Sequence, residues 1–191
     1  MNATEELLQD HVFIRRLQAI IEKCYTRLYE GKDMPIGDLI KILNIIEQFV
    51  DQFHHSKEEN SYFPKAENRD YYYYSEEIRK FVIEHEFGRR IAKRVRIHLE
   101  EFLQGNDTRE PLARYLKTYS VFILDHTTKE DSFFIKLKEK QSLSEDEERV
   151  LKEQFDCLRL KCMHKVDGRS GSSISNLIQT LEQLESADWV S

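Results

Sequence analysis

Apolar residues recur at three- and four-residue intervals along almost the whole chain, the spacing of one face of an α-helix. A first helix is predicted from Thr4, taken as the N-cap with Glu5 and Glu6 behind it, to about Glu30. Leu7, Leu8, Ile14, Leu17, Ile21 and Leu28 share one side of it, and Gly31 ends it. A second begins after Pro35 and carries Ile36, Leu39, Ile40, Leu43, Ile46, Val50 and Phe53 toward Phe63, where Pro64 predicts a stop. The connector that follows, Lys65–Tyr74, contains four consecutive tyrosines, Tyr71 to Tyr74, which suit aromatic packing over the end of a bundle. Ser75 opens a third helix reaching about Leu103, broken by Gly105, Asn106 and Asp107. The fourth runs from Pro111, a good first-turn residue, to about Lys140.

Four long helices with short connectors predict an all-α fold, an antiparallel up-down-up-down four-helix bundle over residues 1–140. Ser144 and Glu147 form a capping box that starts a fifth helix. A Gly/Ser stretch, Gly168 to Ser173, separates it from a last amphipathic helix bearing Ile174, Leu177, Ile178, Leu181 and Leu184. Residues 141–191 therefore form a C-terminal helical extension packed on the bundle, within the same domain.

Composition narrows the function classes. The length of 191 residues suits one domain, and 6 Gly with 3 Pro argue against an all-β or loop-rich fold. Uninterrupted apolar runs such as Val121–Leu124 fall far short of the roughly 20 residues of a membrane span. A formal charge of −6 disfavours nucleic acid as a partner. The basic cluster Arg89, Arg90, Lys93, Arg94 and Arg96 is flanked by acidic residues and fits a solvated helix face. Cys24, Cys157 and Cys162 make no CxxC pair, so neither a disulfide scaffold nor a thiolate zinc site is suggested. The N-terminus carries no charged-then-apolar export signal, and the expected location is the cytoplasm.

The chemistry lies in the seven histidines. His11 shares its helix face with Leu7, Ile14 and Ile21 and points inward. Two overlapping His-x-x-x-Glu pairs follow on the second helix. His54 and Glu58 continue the row of Leu43 and Val50, facing the core, whereas His55 and Glu59 continue the polar row Asn44, Gln48, Asp51, facing water. His85 lies with Ile78, Phe81, Val82 and Ala92, and His98 takes a rim position. His126 follows Tyr119, Phe122 and Ile123, with Glu130 one turn on and in line with Phe133 and Phe134. One inward histidine is commonly a hydrogen-bonded core residue. Four of them with two inward carboxylates are a donor set for a pair of metal ions, since a buried carboxylate without a partner costs several kcal/mol. Lys and Arg are largely absent from these rows; Arg89, one turn after His85, is the exception that can pair with one of the glutamates.

At these residues the chain resembles the hemerythrin-like (HHE cation-binding) family. The stretches that carry the resemblance are Asp10–Leu17, His54–Pro64, Glu84–Arg89 and Asp125–Phe134, in order across all four helices. The resemblance implies a non-haem centre of two iron ions, oxo- or hydroxo-bridged. His11, His54, His85 and His126 would be terminal ligands, with Glu58 and Glu130 as bridges, and Arg89 and Tyr119 would stand around them. The match departs from the pattern in two places. Oxygen-carrying hemerythrins place two histidines one turn apart on the third helix, but here the second position is Arg89. A fifth donor would then come from His55, a tyrosine or water. Those carriers also take the fourth-helix carboxylate five residues after its histidine, which selects Asp131. The four-residue spacing to Glu130 occurs in the wider family, and its in-line position favours it; Asp131, His55 and Glu59 stand as alternative ligands. The Glu-x-x-His signature of ferritin-like di-iron bundles is absent from the chain.

Three function classes follow: a protein that binds or senses dioxygen, nitric oxide or peroxide, a di-iron redox enzyme turning over peroxide or NO, and an iron-handling protein. The ligand would be a small diatomic molecule or a peroxide. The sequence names no protein partner.

Overall fold

The computed structural model describes residues 1–140, 143–162 and 172–190. Gly168–Gly171 of the expected Gly/Ser stretch, and the seventh histidine, His164, lie outside these described residues. The first helix, α1 (Ala3–Tyr29), is capped two residues earlier than the sequence suggested. The Asn2 side chain accepts from the Glu5 amide at 2.8 Å, and the Glu5 carboxylate accepts from the Asn2 amide at 3.0 Å. This reciprocal box satisfies two end donors at once. Thr4 is freed to meet the Tyr62 hydroxyl at 2.6 Å.

The second helical path begins as α2 (Ile36–Ile45) and then changes its winding. Ile46–His55 and Glu58–Tyr62 are π-helical, followed by α3 (Phe63–Arg69). Pro64 does not stop the path. It falls in the first turn of α3, where the absent N–H costs little, directly after the wide turn in which the Phe63 amide donates to the Glu58 carbonyl. The break comes at Asp70, whose side chain accepts from the Tyr73 amide and starts α4 (Tyr71–Leu103). The tyrosines therefore open a helix instead of forming a connector. Tyr74 is buried with its ring 5.8 Å from Phe133, whereas Tyr72 is exposed. Gly105, at φ +88°, turns the chain out of α4 into a conformation that favours glycine. α5 (Arg109–Lys140), α6 (Glu145–Lys161) behind the expected Ser144–Glu147 box, and α7 (Ile174–Glu185) complete the fold.

The described residues form an all-helical bundle. Its apolar residues fall into two clusters. One gathers Ile14, Leu17, Ile42, Phe49, Val95 and Leu116, the other Leu7, Tyr62, Phe63, Phe81, Phe133 and Phe134. On each long helical path the residues between the clusters are histidines: His11 between Leu7 and Ile14, His54 between Phe53 and Tyr62, His85 between Phe81 and Ile91, His126 between Ile123 and Phe133. A polar layer thus sits inside the core. From the C-terminal part, α6 adds Leu151 and Phe155 to the second cluster, and α7 adds Leu177, Leu181 and Leu184 to the first. Among the described residues no helix is long and apolar enough to cross a membrane.

The cysteines stand apart from that layer. Cys24 and Cys162 are buried in the first cluster and Cys157 is exposed. Burial pushes the Cys24 thiol up to about 12, and the Cys162 thiol upward as well. A thiol reagent at mildly alkaline pH is expected to label Cys157 alone in the folded protein and all three cysteines after denaturation, as mass spectrometry of the adducts would count.

Candidate metal centre

Five histidines and two glutamates converge in the polar layer. His11, His54, Glu58 and Glu130 form one group of donor atoms, and His55, His85 and His126 another, each group lying within 4.8 Å. His55 is the correction to the sequence reading, which placed it toward water. It is buried, 3% exposed, with its ring stacked 3.9 Å from that of His85. The cause is the π-helix. Each of its turns holds one residue more than an α-turn, so the helical phase slips between Ile46 and His55. Phe53, His54 and His55 are consecutive and all buried, which no single α-helical face allows. Glu59 is likewise only partly exposed; its carboxylate accepts from the His85 Nδ1–H at 2.7 Å.

Both inward glutamates are fully buried. Glu58 places Oε1 3.2 Å from His54 Nε2 and Oε2 3.3 Å from His85 Nε2. Glu130 places Oε2 3.3 Å from His11 Nε2 and 3.2 Å from His126 Nε2, with Oε1 3.2 Å from His85 Nε2. Each carboxylate therefore spans the two groups.

Around this inner set runs a ring of carboxylates. The Nδ1–H of His11 donates to Asp131 at 2.6 Å, that of His54 to Asp10 at 3.2 Å, and that of His126 to Glu84 at 2.8 Å. His55 lacks this partner, as Asp51 lies 3.6 Å from its Nδ1, beyond hydrogen-bond range. Each outer carboxylate is held in turn by a cation: Asp131 by Arg15, Asp10 by Lys57, Glu84 by Lys129, and Glu59 and Asp51 together by Arg89. Arg89 thus pairs with two outer carboxylates, not with Glu58 or Glu130. Asp131 orients His11 from outside the inner set, and Glu130 occupies the inner position. Tyr119 lies in the apolar cluster with its ring 6.3 Å from Phe122; burial and the charge of Asp51 push its hydroxyl far up. His98 pairs with Glu101 at the rim.

A histidine whose Nδ1–H is committed to a carboxylate presents an Nε2 lone pair, the arrangement in which a metal-bound imidazole is oriented. The His11 and His54 Nε2 atoms approach to 3.0 Å in this way. Both nitrogens of His55, both oxygens of Glu58, His126 Nε2 and Glu130 Oε2 are buried without a hydrogen-bond partner. Such groups call for positive charge. Protonation is one answer: burial would push His85 down, yet Glu130 and Glu59 raise it to about 10, and the carboxylates around His11 raise that ring too. His55 goes the other way, held well below its ordinary value by burial and by the neighbouring histidines. A pair of cations placed among the Nε2 and carboxylate atoms meets the same demand with one arrangement, and the residues fit it.

Phenylalanines close the layer. Phe134 lies 5.7 Å from His11, Phe63 6.1 Å from His85, and Phe122 stacks 5.3 Å from His126. Phe122 reaches that place because α4 has Gly88 opposite it; a Cβ there would meet the ring at 2.8 Å.

Of the outer ring, sequence reasoning reaches Asp131 and Glu59 as alternative ligands and Arg89 beside the centre, but not Asp10 or Glu84. Their signal was present as acidic residues beside the histidines, Asp10 before His11 and Glu84 before His85, but the structure uses them crosswise. Asp10 serves His54 and Glu84 serves His126, each on a neighbouring helix.

The family profile described as the Hemerythrin HHE cation binding domain matches residues 2–137, the span from the start of α1 to the end of the apolar layer on α5. Comparison with curated proteins and with solved structures gives no match.

Proposed function

The chain belongs to the hemerythrin HHE cation-binding family, and on that premise we propose that its core holds two iron ions that bind or sense dioxygen or a related small oxidant. The carrying observation is the pair of glutamates that each touch both groups of imidazoles. Carboxylates so placed are suited to bridge two ions. Imidazole and carboxylate without thiolate is a donor set that iron accepts. The proposed ligands are His11, His54, His55, His85, His126, Glu58 and Glu130, in an antiparallel up-down-up-down bundle with the extension as part of the same domain.

Donor counting favours a binding role. His55, His85 and His126 would hold one ion and His11 and His54 the other, with Glu58 and Glu130 in reach of both. The His11/His54 side would then offer one donor fewer, leaving room for a small diatomic molecule or peroxide. When bound, the iron pair supplies a reversible change of oxidation state in contact with such a ligand. The protein supplies the rest: the outer carboxylates fix each ring, and Phe63, Phe122 and Phe134 keep bulk water from the layer.

The purified protein is expected to contain about two irons per chain, with charge-transfer absorption in the near ultraviolet. Metal analysis that finds zinc, or nothing, in place of iron overturns the di-iron reading. Stopped-flow spectroscopy of the reduced protein with O2, NO and H2O2 then separates the roles: a reversible adduct supports binding or sensing, and catalytic consumption assigns an enzyme.

A further inference from the structure

Four kinds of cation–carboxylate–histidine relay surround the inner set, and one of them is unlike the others. Arg15, Arg89 and Lys129 have side chains 33%, 31% and 46% exposed, so water reaches their charges. Lys57 is 0% exposed. Its ammonium lies 2.5 Å from Asp10 Oδ2 and 3.0 Å from Glu6 Oε1, and 4.3 and 4.9 Å from the ring centroids of Phe53 and Phe155. Phe155 belongs to α6, which lies beyond the matched family span. Arg159, also on α6, donates to the same Glu6 oxygen at 3.1 Å and sets its guanidinium over Phe53. The extension therefore seals one relay and leaves the others open.

A fully buried ammonium is strongly disfavoured unless paired, so folding α6 over it calls for its acidic partners Asp10 and Glu6. That dry setting strengthens the Lys57–Asp10 contact relative to a solvated pair. Asp10 in turn accepts from His54 Nδ1–H, and His54 Nε2 faces Glu58 at 3.2 Å. Resting on the two-metal reading above, we infer that Lys57, sealed under α6, is a positioning residue for the ion of the His11/His54 group. It keeps Asp10 turned onto His54, so that the ring presents its Nε2 inward. The extension thereby has a role at the centre without supplying a ligand to it.

The test is an anaerobic titration of metal-free wild type, Lys57→Met, Phe155→Ala and His54→Ala with ferrous iron against a competing chelator. Far-UV circular dichroism is followed in parallel. Lys57→Met is expected to weaken one of the two ions about 10–100-fold, the range for outer-partner losses, and to leave the other unchanged. The weakened ion is expected to be the one that His54→Ala removes. Phe155→Ala, which keeps the lysine and admits water, is expected to weaken the same ion by less. Equal affinities in Lys57→Met and wild type overturn the inference, as does an equal fall for both ions. If Lys57→Met does not fold, Phe155→Ala decides alone: selective weakening supports the inference, and no change or a fall in both ions overturns it. A wild type that takes up no iron overturns the reading of the core itself, a result distinct from two ions bound equally in wild type and variant.

Discussion

Stripping the metal from the folded protein with a strong chelator is expected to lower its unfolding midpoint by about 8–16 °C. A ligand at roughly a thousand times its dissociation constant stabilises the native state by about 4 kcal/mol. For a chain of this size each kcal/mol moves the midpoint by about 2–4 °C. The sign follows from the inner layer. Glu58 and Glu130 are fully buried, and most of their oxygens have no hydrogen-bond donor. Cations supply the partner these groups lack; protons on His11 and His85 supply it less completely, because they leave both nitrogens of His55 and the Nε2 of His126 without a partner. Scanning calorimetry of chelated and reloaded protein measures the difference. A midpoint that ignores the chelator, with metal removal verified by elemental analysis, would show the layer to be a self-sufficient hydrogen-bonded core.

The two apolar clusters were legible in the sequence because they follow α-helical spacing. Leu7, Ile14, Leu17, Ile78, Phe81, Phe133 and Phe134 all fall where a 3.6-residue period places them. His11, His85, His126 and Glu130 were legible for the same reason, whereas His54 and Glu58, although buried as expected, lie within the π turns that the same period misdescribes. What that period could not place lies where the period itself changes. From Ile46 onward the helix takes π turns, and the phase carried forward from Leu43 and Val50 no longer sorts inward from outward. His55 and Lys57 were lost to that slip, and Pro64, a stop in an α-helical reading, is accommodated just after it. The outer ring was hidden for another reason. Its contacts, such as Asp10 to His54 and Asp131 to His11, join different helices, and one-dimensional spacing holds no record of which helices are neighbours.

His55 also yields the second large effect, with opposite signs in two states of one variant. In His55→Leu the side chain is replaced by an apolar one of similar volume. Both nitrogens of His55 are buried and unbonded, so in the metal-free protein the exchange removes two unsatisfied groups. The metal-free variant is expected to unfold at the same temperature as metal-free wild type, or higher. In the loaded protein the same change would delete one of the three imidazoles proposed to hold one ion. Affinity for that ion is expected to fall by on the order of 100-fold or more, beyond the about 10–100-fold typical of losing an outer partner such as Glu59. His98, paired with Glu101 at the rim, serves as the control, and His98→Leu should leave both ions in place. The measurements are iron stoichiometry and calorimetry of each variant with and without metal. Equal destabilisation of both states by His55→Leu would make His55 a packing residue and return the fifth donor to water. Stabilisation of the metal-free form together with loss of an ion has a simpler cause. The π turns then hold an imidazole in the core that only a metal satisfies, while Arg89 on α4 stays with the outer carboxylates.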